Sequence, residues 1–337
     1  MLAVALLAAL VALAAWSRSG LLGLPSVPGS VTPQRAGLAD LDGARSLDQF
    51  VRGDPALRPS TAAVPPGESN PAAKRVRDGI NLIVAGEPGR GLEVMREGIL
   101  LEPHNLVLTN AYRMEVFRLR RAYLHESRER GALTPEFPPH LDRQPIGFFE
   151  ELVRSHPSRE AKLSLALAWV EEMLLFPALE IKAPASVEAV DVLTEIIEAG
   201  DGDEVYVPAL FARGLNHLHR PARLVWPESI ESGRDAAARD LGGCVAIGRK
   251  LGVGSDHLQA VLAMALGDAY VKGGRLGVAR SWWQIAQNQC HDPDIQAAVR
   301  RRYEWRDEEI LDRLEAELDR ARTELDRPMT DLALMWN

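Results

Sequence analysis

The chain has 337 residues, 46% of them hydrophobic and 26% charged, a globular balance that permits a sizeable core and excludes both wholesale disorder and a polytopic membrane protein. A formal charge of -8 gives no global positive field for a phosphate backbone, so nucleic acid is not an expected partner. Two cysteines, Cys244 and Cys290, are too few for a disulfide framework or a four-cysteine iron–sulfur cluster.

Met1 to Trp16 form an unbroken apolar run closed by Ser17 and Arg18. As a helix it spans roughly 24 Å, short of the ~30 Å hydrocarbon core. Three readings follow: a cleaved signal, an uncleaved anchor with Trp16 at the interface, or a buried core helix. No Lys or Arg precedes the run, which weakens the signal reading, and Arg18 behind it favours a cytoplasmic body. Residues 1–24 are assigned to a signal peptide or membrane anchor, and the protein to the cell envelope, membrane-anchored or exported to a periplasm. Residues 25–71 are rich in Pro, Gly and Ser and read as a flexible linker. Within it, Leu41, Leu47 and Phe50 mark one short helix between Leu38 and Val51.

Beyond Pro71 apolar residues recur at three and four, and Gly or Pro clusters fall at helix-length intervals, which predicts an all-α fold. Placing Gly79 over Gly267, an offset of 188, aligns GINLIVAGEPGRGLEVMREGILLEP with GDAYVKGGRLGVARSWWQIAQNQCH without a gap. Gly86 then meets Gly274, Leu82 meets Tyr270, Met95 meets Trp283 and Gly98 meets Ala286. Leu266, Gly267, Tyr270, Ala279, Trp283 and Ala286 in the later copy resemble the tetratricopeptide repeat. The earlier copy resembles it through Gly79, Leu82, Gly91, Met95, Gly98 and Pro103, and departs from it at Arg75 and Asp78. The physical content of the pattern is a small residue where helix A meets helix B and a large one filling the gap between neighbouring pairs.

Degenerate copies lie between. Residues 145–157 and 186–200 read as B helices, 158–175 and 205–220 as A helices, and Ala237, Leu241 and Cys244 as part of another B helix. The resemblance implies an α-solenoid of tetratricopeptide-like helix pairs over 72–292. From Pro293 to Arg327 the spacing predicts one long capping helix with Leu311, Leu314, Leu318 and Leu325 on its stripe; a dimerising coiled coil is the alternative. Residues 328–337 form an apolar tail.

No catalytic, metal or cofactor site is expected. His217 and His219, two apart on a helix, point roughly 200° from each other and cannot share one metal. His217 instead fills the Tyr position of its repeat. Cys244 and Cys290 are out of step by about one turn and read as free thiols. The GEPGRG loop at 86–91 lacks the Lys-Ser/Thr of a phosphate loop. Glu150-Glu151, Glu171-Glu172 and Glu308-Glu309 read as solvent-facing charge. Two short arginine clusters, 118–121 and 300–302, offer contacts to an acidic partner or to lipid headgroups.

Tetratricopeptide arrays bind peptides and proteins on a concave face built from A helices. By register that face takes in Ile80, Phe211, Leu215, His219, Met264 and Asp268, and it is chiefly apolar. The resemblance therefore implies a non-catalytic interaction scaffold with a protein or peptide partner, joined to a membrane through its N-terminus. The alternatives are a structural or assembly subunit of a larger envelope complex and, further off, an enzyme or metal-binding protein. Phe211, Leu215 and His219 make either an open groove or a stripe covered by the capping helix or by the tail from Leu332 to Trp336.

Overall fold

The computed structural model describes residues 70–129, 137–142, 145–175, 179–200, 205–220, 230–251, 256–324 and 330–332. All lie in the unit from Leu41 to Asn337. The N-terminal apolar run, the Leu38–Val51 helix and the last five residues lie outside the described residues.

Twelve helices are present among the described residues. In chain order they are α1 (Pro71–Val84), α2 (Pro88–Leu101), α3 (Leu106–Glu129), α4 (Ile146–Ser155), α5 (Arg159–Leu175) and α6 (Leu179–Glu198). There follow α7 (Tyr206–His219), α8 (Ile230–Leu251), α9 (Asp256–Lys272), α10 (Leu276–Gln289), α11 (Pro293–Glu304) and α12 (Ile310–Glu324). The odd helices pack as A helices: α3 on α5, α5 on α7, α7 on α9 and α9 on α11. α2, α6, α8 and α10 each pack on the A helix before them, whereas α4 packs on α5. The result is an all-α array of tetratricopeptide-like pairs.

The first and last aligned pairs share their turn atom for atom. In the first, Gly86 N–H donates to the Ile83 carbonyl and Glu87 N–H to the Leu82 carbonyl, at 3.0 and 2.9 Å. The same bonds run from Gly274 to Val271 and from Arg275 to Tyr270, at 2.9 and 2.8 Å. This is the Schellman closure of a helix, and it needs a left-handed residue. Gly86 and Gly274 supply it with φ of 90° and 72°.

Small residues permit the close approach inside each pair. A Cβ on Gly79 would lie 2.5 Å from the Gly91 carbonyl oxygen, and one on Gly267 would lie 2.5 Å from the Trp283 ring. Met95 and Trp283 are both fully buried. Trp283 is thus a core residue, as its place in the repeat predicts.

The structure departs from the expected single C-terminal helix. The chain leaves α11 at Trp305, which is extended with φ −74° and ψ 139°, and resumes in α12 at Ile310. Arg302 is drawn inward to Asp268. The break turns the stripe back, so that α12 packs on α5, α7 and α9. Ile310, Leu314 and Leu318 thereby reach the core that also contains Phe211 and Leu215. A straight helix from Pro293 would carry that stripe away from α5 and α7.

α6 also begins earlier than the predicted Ser186, running from Leu179 through Pro184. Among the described residues no helix is long and apolar enough to cross a membrane.

Candidate functional site

The A-helix face is the expected recognition surface, and this chain covers part of it with its own C-terminal segment. α12 lies across α5, α7 and α9. Lys272 at the end of α9 clamps the junction, donating to the carbonyls of Leu218 at 2.5 Å and Arg220 at 2.7 Å and facing Glu315 of α12 at 3.5 Å. α12 is also tied to α11, through Arg301 donating to Glu317 at 2.7 Å.

Thr330, Asp331 and Leu332 then enter a cleft between α3 and α5, where all three are buried. Asn110 reads the segment at two points: its Nδ2 donates to Asp331 Oδ1 at 2.8 Å, and its Oδ1 accepts the Leu332 N–H at 3.0 Å. Arg113 Nη2 donates to the Thr330 carbonyl at 3.0 Å and to Asn110 Oδ1 at 2.7 Å. Thr330 Oγ1 donates to Glu171 Oε1 at 2.9 Å, and Glu171 is ion-paired with Arg113. Leu332 is seated in an apolar cluster with Leu106, Leu163 and Leu167.

Burial dominates the electrostatics of the cleft. It pushes the Glu171 carboxyl up to about 7, with the Arg113 guanidinium pulling the other way. Burial lowers the Arg113 value, against the attraction of Glu171 and Asp331. Two buried atoms complete no hydrogen bond, Glu171 Oε2 and Arg113 Nε.

The expected groove residues are placed unevenly. Phe211 and Leu215 are core, at 1% and 8% exposure, whereas Ile80, His219 and Met264 are half-buried. Asp268 is fully committed inside the fold: it accepts Trp283 Nε1 at 2.9 Å and both arms of Arg302 at 2.7 and 2.6 Å. His217 is buried, and burial together with Arg220, Arg213 and Arg239 takes its pKa down to about 3. Cys244 and Cys290 are free thiols.

Two readings of surface charge are overturned. Glu171 and Glu172 do not face solvent as a pair, because Glu171 is buried with Arg113 and Glu172 accepts Arg120 at 2.5 and 3.2 Å. Arg120 and Arg302 leave their clusters for the interior, at 2% and 3% exposure. A buried cation needs a carboxylate partner, and neighbouring helices supply one to each.

No protein-family model matches the chain, and no curated protein matches it. It is similar to a solved structure, the crystal structure of TTC0263, a thermophilic TPR protein in Thermus thermophilus. The TM-score is 0.39 and the identity 16%, over 68% of this chain and 96% of that one.

The sequence reading missed Asn110 and Arg113. The signal available was three polar residues, Thr109, Asn110 and Arg113, set among the apolar Leu106, Leu108, Ala111 and Tyr112 in the first turns of α3. Polar side chains on a buried face ask for partners, and half of these partners lie more than two hundred residues away.

Proposed function

We propose that the protein is a non-catalytic scaffold that binds protein segments on its A-helix face, held at a membrane or exported through its apolar N-terminus. The observation that carries this reading is the seating of Thr330–Leu332, whose main chain and side chains are both read by α3 and α5. A face that recognises a short segment of its own chain has the chemistry to recognise one from another chain. Ion pairs of Arg113 with Glu171, Arg213 with Asp240 and Arg302 with Asp268 join helix to helix and hold the scaffold in place. The membrane tether rests on the sixteen apolar residues from Met1 to Trp16 and the linker behind them.

A second reading is a permanent subunit of an envelope complex. It is favoured by the burial of Phe211 and Leu215, because a stripe packed within the chain leaves less surface for an exchangeable ligand.

The test is photo-crosslinking in the producing cell with the full chain, placing the reactive residue at Met264 on the A-helix face or at exposed Val278 on α10. A defined partner captured from Met264 and not from Val278, in a membrane or exported fraction, supports the scaffold. Capture from Val278 alone, or full recovery in the cytosol with an intact N-terminus, overturns it. A partner that never exchanges with added free partner favours the permanent subunit.

A further inference from the structure

The cleft between α3 and α5 is more specific than a surface that merely parks a chain end. Its three contacts fall on three successive residues and demand different chemistry at each. Glu171 takes a hydroxyl proton from Thr330, Asn110 Nδ2 takes a carboxylate oxygen from Asp331, and the apolar cluster takes the Leu332 side chain. Asn110 Oδ1 and Arg113 Nη2 hold the intervening main chain, through the Leu332 N–H and the Thr330 carbonyl.

The fit is also incomplete. Glu171 Oε2 and Arg113 Nε are buried without a hydrogen bond while the tail is seated, and buried polar atoms in a finished interior are nearly always paired. Thr330–Leu332 is also set apart from α12 in sequence, so it can exchange without dismantling a helix pair.

We propose that this cleft is a recognition site for a Ser/Thr-Asp-Leu segment of a partner protein, and that Thr330–Leu332 is the resident segment such a partner displaces. The proposal rests on the scaffold reading and gives it a partner chemistry: a hydroxyl residue, then an aspartate, then a branched aliphatic residue, in the turn that Thr330–Leu332 adopt. Access is set by competition. A cleft filled by its own tail for about nine-tenths of the time or more lowers the apparent affinity of an outside segment at least ~tenfold.

The experiment uses the full chain and a fluorescein-labelled peptide of the sequence from Pro328 to Asn337. Two full-length variants release the tail: Asp331→Arg with Leu332→Asp, and the milder Thr330→Ala, which keeps the main-chain contacts. Each variant is melted alongside the native chain, so that binding is read only on folded protein. The released variant should bind the peptide at least ~tenfold more tightly than the native chain does, and Thr330→Ala should show a smaller gain of the same sign. A peptide carrying Arg in place of the aspartate should not bind, and adding Asn110→Ala to the released variant should abolish binding. Equal affinity of the native and released chains would overturn the proposal, as would no binding to a folded released variant. Binding that ignores both the Arg peptide and Asn110→Ala would overturn it too. Concentration-dependent dimers of the native chain, dispersed by the peptide, would make the occupant a second copy of this chain and overturn the assignment to a partner. None of these failures touches the crosslinking result from Met264, so the scaffold reading stands or falls separately.

Discussion

The first pair, α1 with α2, and the pair α9 with α10 are built on the same plan and finished differently. Both close their turn on a left-handed glycine, and both bring a glycine of helix A against helix B. In the first pair the space goes to backbone: Gly79 and Gly91 face each other's carbonyls, and Met95 fills the gap that remains. In the later pair it goes to an indole, whose N–H is held by Asp268, which in turn holds Arg302 of α11. The shared plan is apolar and local, so it repeats at a fixed spacing. The polar tie from α10 through α9 to α11 fixes the neighbouring pair as well; at the start of the array the apolar Ile80 stands where Asp268 would, and Glu97 and Arg75 make an exposed pair.

The sharpest way to break this contrast is at the indole. Trp283→Ala should cost ~3–5 kcal/mol in denaturant unfolding, while Trp283→Phe keeps most of the bulk and, with Asp268 still held by Arg302, should cost only ~1 kcal/mol for the lost N–H bond. Equal losses for the two would mean that the ring's hydrogen bond, not its volume, holds the pair together. Next come Gly79→Ala and Gly267→Ala, each driving a Cβ to 2.5 Å from its neighbour. Overpacking of this kind costs ~1–3 kcal/mol, outweighing the ~1 kcal/mol that alanine gains over glycine in a helix. A raised melting temperature for either would contradict the packing.

The turns should then behave alike. Gly86→Ala and Gly274→Ala meet no neighbouring atom within 4 Å, so each should lose only the ~1–2 kcal/mol of a left-handed alanine. Different losses would show that the two turns are not equivalent.

The last test is one of pH. Glu171 holds its proton up to about 7 in the fold, against an ordinary 4.5. Its contribution to stability is therefore full below 4.5 and is lost as pH rises towards 7. His217, lowered from 6.5 to about 3, works in reverse: its contribution is present above 6.5 and is lost as pH falls towards 3. Glu171→Gln should thus gain on the native chain as pH rises from 4.5 to 7, read as the difference in melting temperature. A difference that is flat across that range would mean the carboxyl is ionised throughout.

The local plan was legible because it is periodic. The 188-residue offset puts Gly86 on Gly274 and Met95 on Trp283 from the sequence alone, and each pair shares its role in the structure. The break at Trp305 was not legible, since residues 293 to 327 hold a continuous helical stripe and the reason to bend lies in α5 and α7. The cleft was hidden for a related reason. Glu171 looked like one of several glutamate pairs on helices, and only the fold sets it against Arg113 and Thr330. Charge runs are ordinarily solvated, so sequence spacing favours the solvated reading until a partner helix is known.

The occupancy of the cleft is most directly tested by amide hydrogen exchange on the full-length native chain. The Leu332 N–H, buried and bonded to Asn110, should exchange as slowly as the amides of α5 and become fast in Asn110→Ala while α5 stays protected. Exchange of Leu332 at the rate of a free peptide in the native chain would contradict a seated tail.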